Sequence, residues 1–138
     1  MGVLARIVRG VWRDDATVCA TTSPENAMEH ARYAECIDAC NACANACDRC
    51  TAACLEEEDV KMMARCIALD IDCAQLCRLA AAVMARGGEA AGAICAACAD
   101  VCERCASECG RHDAGHCQEC AAACRRCAEL CRQMAEEV

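Results

Sequence analysis

Residues 36–54 read CIDACNACANACDRCTAAC, and the six cysteines in this stretch (Cys36, Cys40, Cys43, Cys47, Cys50 and Cys54) are spaced 4, 3, 4, 3, 4. At about 100° per residue they fall within a helical stripe roughly 80° wide, the seam that a bundle helix normally fills with Leu or Ile. Sulfur stands here in place of the aliphatic core. The same register returns in Cys95, Cys98, Cys102, Cys105, Cys109 and again in Cys117, Cys120, Cys124, Cys127, Cys131. A sparser segment supplies Cys66, Cys73 and Cys77, and filling its 3/4 register gives Asp59, Met63, Cys66, Asp70, Cys73, Cys77, Ala80 and Met84. Four helices that all turn cysteine inward predict an all-α protein, an antiparallel up-down four-helix bundle.

The chain signals outline that bundle. Ser23-Pro24-Glu25 is a helix start, with Ser as N-cap, Pro at the first helical position and an acid in the first turn. The first helix is expected to run from Pro24 to about Glu56. Glu56-Glu57-Glu58-Asp59 then reads as a turn and the acid-rich, solvated opening of a second helix that continues to Arg86. Gly87-Gly88 ends it, Glu89 opens a third, and Gly110 and Gly115 bracket the last turn. Turns this short make neighbours antiparallel. The bundle is thus assigned to residues 23–138. Residues 1–22 are expected to form a short amphipathic helix over 1–13, with Val3, Leu4, Ile7, Val8, Val11 and Trp12 on one face, and a linker carrying the isolated Cys19. That helix packs on the bundle or a subunit contact, or docks on a membrane surface or partner.

Composition narrows the function. The 138 residues include 20 Cys, 32 Ala and no Phe, so the seam buries far less apolar area than a Leu/Ile core and calls for a filler. A net charge of −8 with no basic stripe argues against nucleic acid. No apolar run is long enough to span a bilayer, and the start lacks a secretory h-region, which points to the cytoplasm, where thiols stay reduced.

Thiols repeated at i, i+3 and i+4 along continuous helices suit disulfide geometry poorly. Iron–sulfur motifs use C-x2-C-x2-C-x3-C-P on looped backbone, and zinc wants closed sets of four ligands on turns. Cu(I), a soft ion that accepts thiolates, fits an unbroken stripe best, with an iron–sulfur or thiol redox protein and a zinc or multi-metal buffer as alternatives. About ten separate bis-thiolate sites would bury about ten negative charges, each costing several kcal/mol. Bridging thiolates bring copper and sulfur toward equality, so saturation is expected closer to about 20 ions than about 10. No catalytic constellation is visible, so an enzyme is not expected.

Other soft or titratable side chains sort to the bundle ends: Met62, Met63, His112 and His116 at one, Met28, His30, Met84 and Met134 at the other, with Cys19 nearby. His112 continues the third helix's register and is placed to cap the thiol seam. Each histidine reads equally as a solvated helix-end residue or a ligand, and each methionine as gap-filling core or a soft ligand. Asp70 falls at an inward position, where a carboxylate must either ligate or be hydrogen-bonded; with Leu69 inward instead, it would sit at the boundary.

Cys36-Ile37-Asp38-Ala39-Cys40 and its continuation to Cys54, Arg65-Cys66-Ile67, Asp72-Cys73-Ala74, Glu108-Cys109, and His116-Cys117 through Cys131 together resemble the bacterial copper storage proteins, in particular their cytosolic branch. The resemblance covers about residues 25–135. It implies a four-helix bundle, usually a homotetramer, that binds many Cu(I) ions and admits them at a His- or Met-bearing end. By that likeness the nineteen bundle cysteines are ligands, and His112, His116 and Asp70 are candidates for mixed sites near the mouth. The amphipathic start and Cys19 have no counterpart in the family pattern.

Overall fold

The structure, a computed structural model, describes residues 24–137. The amphipathic segment 1–13 and Cys19 lie outside the described residues, as do the side chains of Met28 and His30. Arg32–Val138 forms one compact unit, and the described cysteines all belong to it. Four helices are described, α1 (Pro24–Leu55), α2 (Ala64–Ala85), α3 (Ala91–Cys109) and α4 (Gly115–Glu137), with a 3₁₀ turn at Val60–Met63 before α2. There is no strand among the described residues.

Sulfur contacts establish the topology. Along α1 and α4, Cys36 meets Cys131, Cys40 meets Cys127, Cys43 meets Cys124 and Cys47 meets Cys120, so one number rises as the other falls. The pairs Cys43 with Cys73 and Cys50 with Cys66 set α2 antiparallel to α1. Cys77 with Cys98 and Cys66 with Cys109 set α3 antiparallel to α2. Across the diagonal, Cys73 with Cys124 and Cys77 with Cys127 rise together. This is the up-down-up-down arrangement the spacing predicts.

The core is made of Cys and Ala. Its larger aliphatic side chains are few, with Met63, Val83, Met84 and Met134 near the ends and none along the middle. Gly87, at φ +61°, ends α2: its N–H reaches the Met84 carbonyl (3.0 Å) and that of Gly88 reaches Val83 (2.9 Å), a Schellman closure that only a residue tolerant of left-handed backbone makes cheaply.

Two helix starts differ from expectation. Helix α2 does not begin in the acidic cluster: Asp59 caps the 3₁₀ turn instead, its Oδ1 accepting from the Met62 N–H at 3.4 Å. Three residues per turn rather than 3.6 shifts the phase, so Asp59, expected in the inward register, is exposed, while Met63 onward keeps that register. Helix α3 opens at Ala91 rather than at Glu89, without a side-chain cap.

Candidate metal centre

Each helix presents its cysteines along one face because 3/4 spacing keeps the Cβ vectors on one side, and four such faces enclose a column of sulfur. All nineteen described cysteines are free and buried. Neighbouring sulfurs stand 3.2 to 4.0 Å apart, the closest being Cys66 with Cys109 and the farthest Cys54 with Cys66 and Cys120 with Cys124. None is joined to another, as expected where rigid helices set the side-chain directions.

The sulfurs fall into overlapping sets of four whose ligand atoms lie within 4.8 Å of one another. One set is Cys40, Cys98, Cys127 and Cys131; another is Cys43, Cys73, Cys77 and Cys102. Cys43, Cys47, Cys73 and Cys124 form a third, and Cys47, Cys105, Cys120 and Cys124 a fourth. Cys43, Cys47, Cys73 and Cys124 are therefore shared between sets, and the column is continuous rather than a string of isolated sites. Cys95 joins Cys36 and Cys131 at one end.

Asp70 points inward, which settles its register in favour of the seam; Leu69 is only half-buried. It is fully buried among thiols. Its Oδ1 lies 3.2 Å from the sulfurs of Cys105 and Cys120 and 3.4 Å from Cys109, and its Oδ2 lies 3.8 Å from Cys66. Burial pushes its carboxyl up to about 8, so the metal-free site holds a protonated or thiol-solvated acid rather than a naked charge. Burial likewise pushes the Cys117 thiol up to about 11 and raises that of Cys54. A soft cation entering this column must displace protons.

The histidines at the Cys54 end behave differently from each other. His116 turns Nδ1 toward three sulfurs, Cys117 at 3.5 Å, Cys50 at 3.6 Å and Cys54 at 3.8 Å, and with those thiols makes a fifth set of four. His112, expected at the cap of the seam, instead directs Nε2 to Glu108 Oε1 at 3.3 Å. Glu108 is buried beside Cys109 and also takes Arg111 and Arg65, at 3.5 and 3.8 Å. Nothing in the thiol register singles out Glu108, although its spacing of three to Arg111 and four to His112 is the helix ion-pair signature that marks it. Met63 is buried near this end and Met62 is 68% exposed; at the far end Met84 and Met134 are buried.

A four-helix bundle whose interior is a continuous thiol column defines a multinuclear soft-metal binding protein. Likeness to known proteins makes the class particular: the copper storage protein family model matches residues 29–136, and the chain belongs to that family. Among solved structures it is similar to the Cu(I)-bound copper storage protein BsCsp3, the apo form of which is from Bacillus subtilis, at 50% identity, covering 75% of this chain and 98% of that one with a TM-score of 0.72. It is 40% identical to a cytosolic copper storage protein from Streptomyces lividans carrying five coppers, over 81% of this chain and 98% of that one, with a TM-score of 0.78. It also matches the uncharacterized cysteine-rich protein YhjQ of Bacillus subtilis at 50% identity over 70 residues, which span 50% of this chain and 65% of that protein.

Proposed function

We propose that this chain stores Cu(I), holding many ions through the thiolates of its core and so buffering or detoxifying the metal, without catalysing a reaction. The observation that carries this is the sharing of sulfurs between adjacent four-ligand sets. A shared thiolate bridges two ions, which brings the buried charge toward neutrality and lets copper fill the column rather than occupy it sparsely. The nineteen bundle cysteines are the proposed ligands, with His116 completing the set of Cys50, Cys54 and Cys117 at the mouth. Asp70 borders four of the thiols from within. Met63 lines the same end, and His112 and Met62 flank it from the outside. The storing unit is the bundle assigned to residues 23–138.

Anaerobic titration of the reduced protein with Cu(I) against a competing chelator tests the reading. The expected plateau lies nearer to about 20 ions than about 10, with proton release throughout. A plateau at one or two ions, or preference for zinc under the same conditions, overturns it.

The protein is proposed to act in the cytosol, like the cytosolic copper storage protein of Streptomyces lividans to which it is similar. No described helix is long and apolar enough to cross a membrane. Self-association, to a tetramer by family likeness, is supported by an apolar strip on the outer faces of α2 and α3. Leu79 (44% exposed), Leu76 and Val101 line one surface groove, and Ile71 is 42% exposed. Light scattering on the reduced protein is expected to give four chain masses and, for Leu79→Glu, fewer; a monomeric wild type rejects this.

A further inference from the structure

The loop after α1 carries four acids in a row, and one of them turns across to meet a histidine at the end of the bundle's sulfur column. Helix α1 does not simply end at Leu55: the N–H of Glu56 bonds the Ala53 carbonyl (3.1 Å) and that of Glu57 bonds the Cys54 carbonyl (3.2 Å). These bonds tie Glu57 to the turn that holds Cys54. From there its Oε1 accepts a hydrogen bond from His116 Nε2 at 2.9 Å, across 59 residues of sequence, with the Glu57 side chain 42% and the His116 side chain 23% exposed. His116 opens α4, held there by the bond from Cys117 N to the Ala114 carbonyl at 3.0 Å.

A carboxylate only accepts, so the ring proton of a neutral His116 must sit on Nε2. Nδ1 then carries the lone pair, and it is Nδ1 that faces Cys50, Cys54 and Cys117 at 3.5 to 3.8 Å. The arrangement of carboxylate, imidazole and ligand cluster is the one that fixes ring orientation and tautomer at metal-binding histidines in general. His112 provides the contrast: its Nε2 also meets a carboxylate, but Glu108 divides itself between that ring and two guanidinium groups.

We infer that Glu57 is a positioning residue that orients His116 so that its Nδ1 and the Cys50, Cys54 and Cys117 thiols form the first site met by Cu(I) at the mouth of the column. This rests on the storage reading. Glu57 does not touch the metal; it holds the ring that does. The other acids of the cluster share its charge but not its contact, so what distinguishes Glu57 is the bond to His116.

Two measurements test it. In metal-free protein, a nitrogen-15 edited spectrum is expected to show the His116 Nε2–H as a proton protected from exchange, lost in Glu57→Ala; a proton unchanged in that variant overturns the inference. In stopped flow, with Cu(I) transferred from a coloured chelator complex, Glu57→Ala is expected to slow the first uptake phase about tenfold, the lower range for loss of a carboxylate partner to a metal-binding histidine. Glu57→Gln keeps a carbonyl acceptor without the charge and is expected to restore most of the rate. Equal slowing by both variants means that charge attracts the ion and the inference falls. Glu57→Ala placed on His116→Ala is expected to slow uptake no further, and additive slowing also overturns the positioning role. A wild-type protein that takes up no Cu(I) removes the storage reading but leaves the spectroscopic result standing.

Discussion

Filling the reduced protein with Cu(I) is expected to raise its thermal midpoint by about 20 °C or more, and a chelator that strips the metal is expected to return it. The reason lies in the core. Between Met63 at one end and Met84 and Met134 at the other, the buried side chains facing the column are Cys, Ala and Asp70. Such side chains bury little apolar area at about 25 cal/mol per Å², and the thiols contribute only weak hydrogen bonds to one another. The metal-free bundle therefore draws on a small hydrophobic reserve and also holds Asp70 away from water. Ligand that binds only the folded state adds about 4 kcal/mol per site when present at a thousandfold over its dissociation constant. A single such site would already shift the midpoint of a domain this size by roughly 10 °C or more, since 1 kcal/mol corresponds to about 4–8 °C in domains of about 60–100 residues and about 2–4 °C in those of about 150–250. Several bridged ions exceed that, and each replaces sulfur–sulfur contacts of 3.2 to 4.0 Å with coordinate bonds between helices. Scanning calorimetry of the metal-free and loaded forms is the check. Midpoints within about 5 °C of each other would mean that the column is a stable core in its own right and that copper is incidental to it.

What the sequence shows plainly and what it hides divide along a physical line. The thiol faces of α1, α3 and α4 are legible because the helix period is 3.6 and the cysteines keep to 3 and 4; no tertiary knowledge is needed to place them inward. Asp70 is legible for the same reason, since the register that aligns Cys66 with Cys73 carries it into the column. Asp59 is misplaced by that register because the 3₁₀ turn at Val60–Met63 breaks the phase, and nothing in VKMM marks where 3₁₀ gives way to α. Glu57 could not be found at all from local pattern. Among four consecutive acids it looks like surface charge, and only the antiparallel packing of α1 on α4 brings it to a histidine 59 residues away. His112 and His116 look alike in sequence; the structure separates them because His112 lies within reach of Glu108 one turn before it, whereas His116, at the start of the next helix, is free to turn toward sulfur.

Replacing Cys124 with Ala is expected to remove several Cu(I) ions from the plateau, whereas Cys36→Ala at the end of the column removes about one. The difference follows from sharing. The Cys124 sulfur lies 3.6 Å from that of Cys43, 3.8 Å from Cys47, 3.9 Å from Cys73 and 4.0 Å from Cys120, so it touches α1, α2 and its own helix. It belongs to two of the four-ligand sets, one built on Cys43, Cys47 and Cys73 and the other on Cys47, Cys105 and Cys120. If thiolates bridge, its loss leaves ions in both sets short of a ligand and leaves the cluster one positive charge in excess until an ion is given up, because the single negative charge of a bridging sulfur is shared between the cations it joins. The Cys36 sulfur lies 3.7 Å from Cys131, which already serves the set with Cys40, Cys98 and Cys127, so its removal trims the margin of the column rather than its middle. The alanine leaves a small cavity in each case, and a cost in metal-free stability of roughly 1 kcal/mol at either position keeps both variants folded. Anaerobic titrations of the two variants beside wild type, read against the same chelator, decide the matter. Equal losses of a single ion from each would show that the sulfurs act in separate pairs, which would return the expected capacity to about half the number of thiols and leave the core with the negative charge that bridging otherwise cancels.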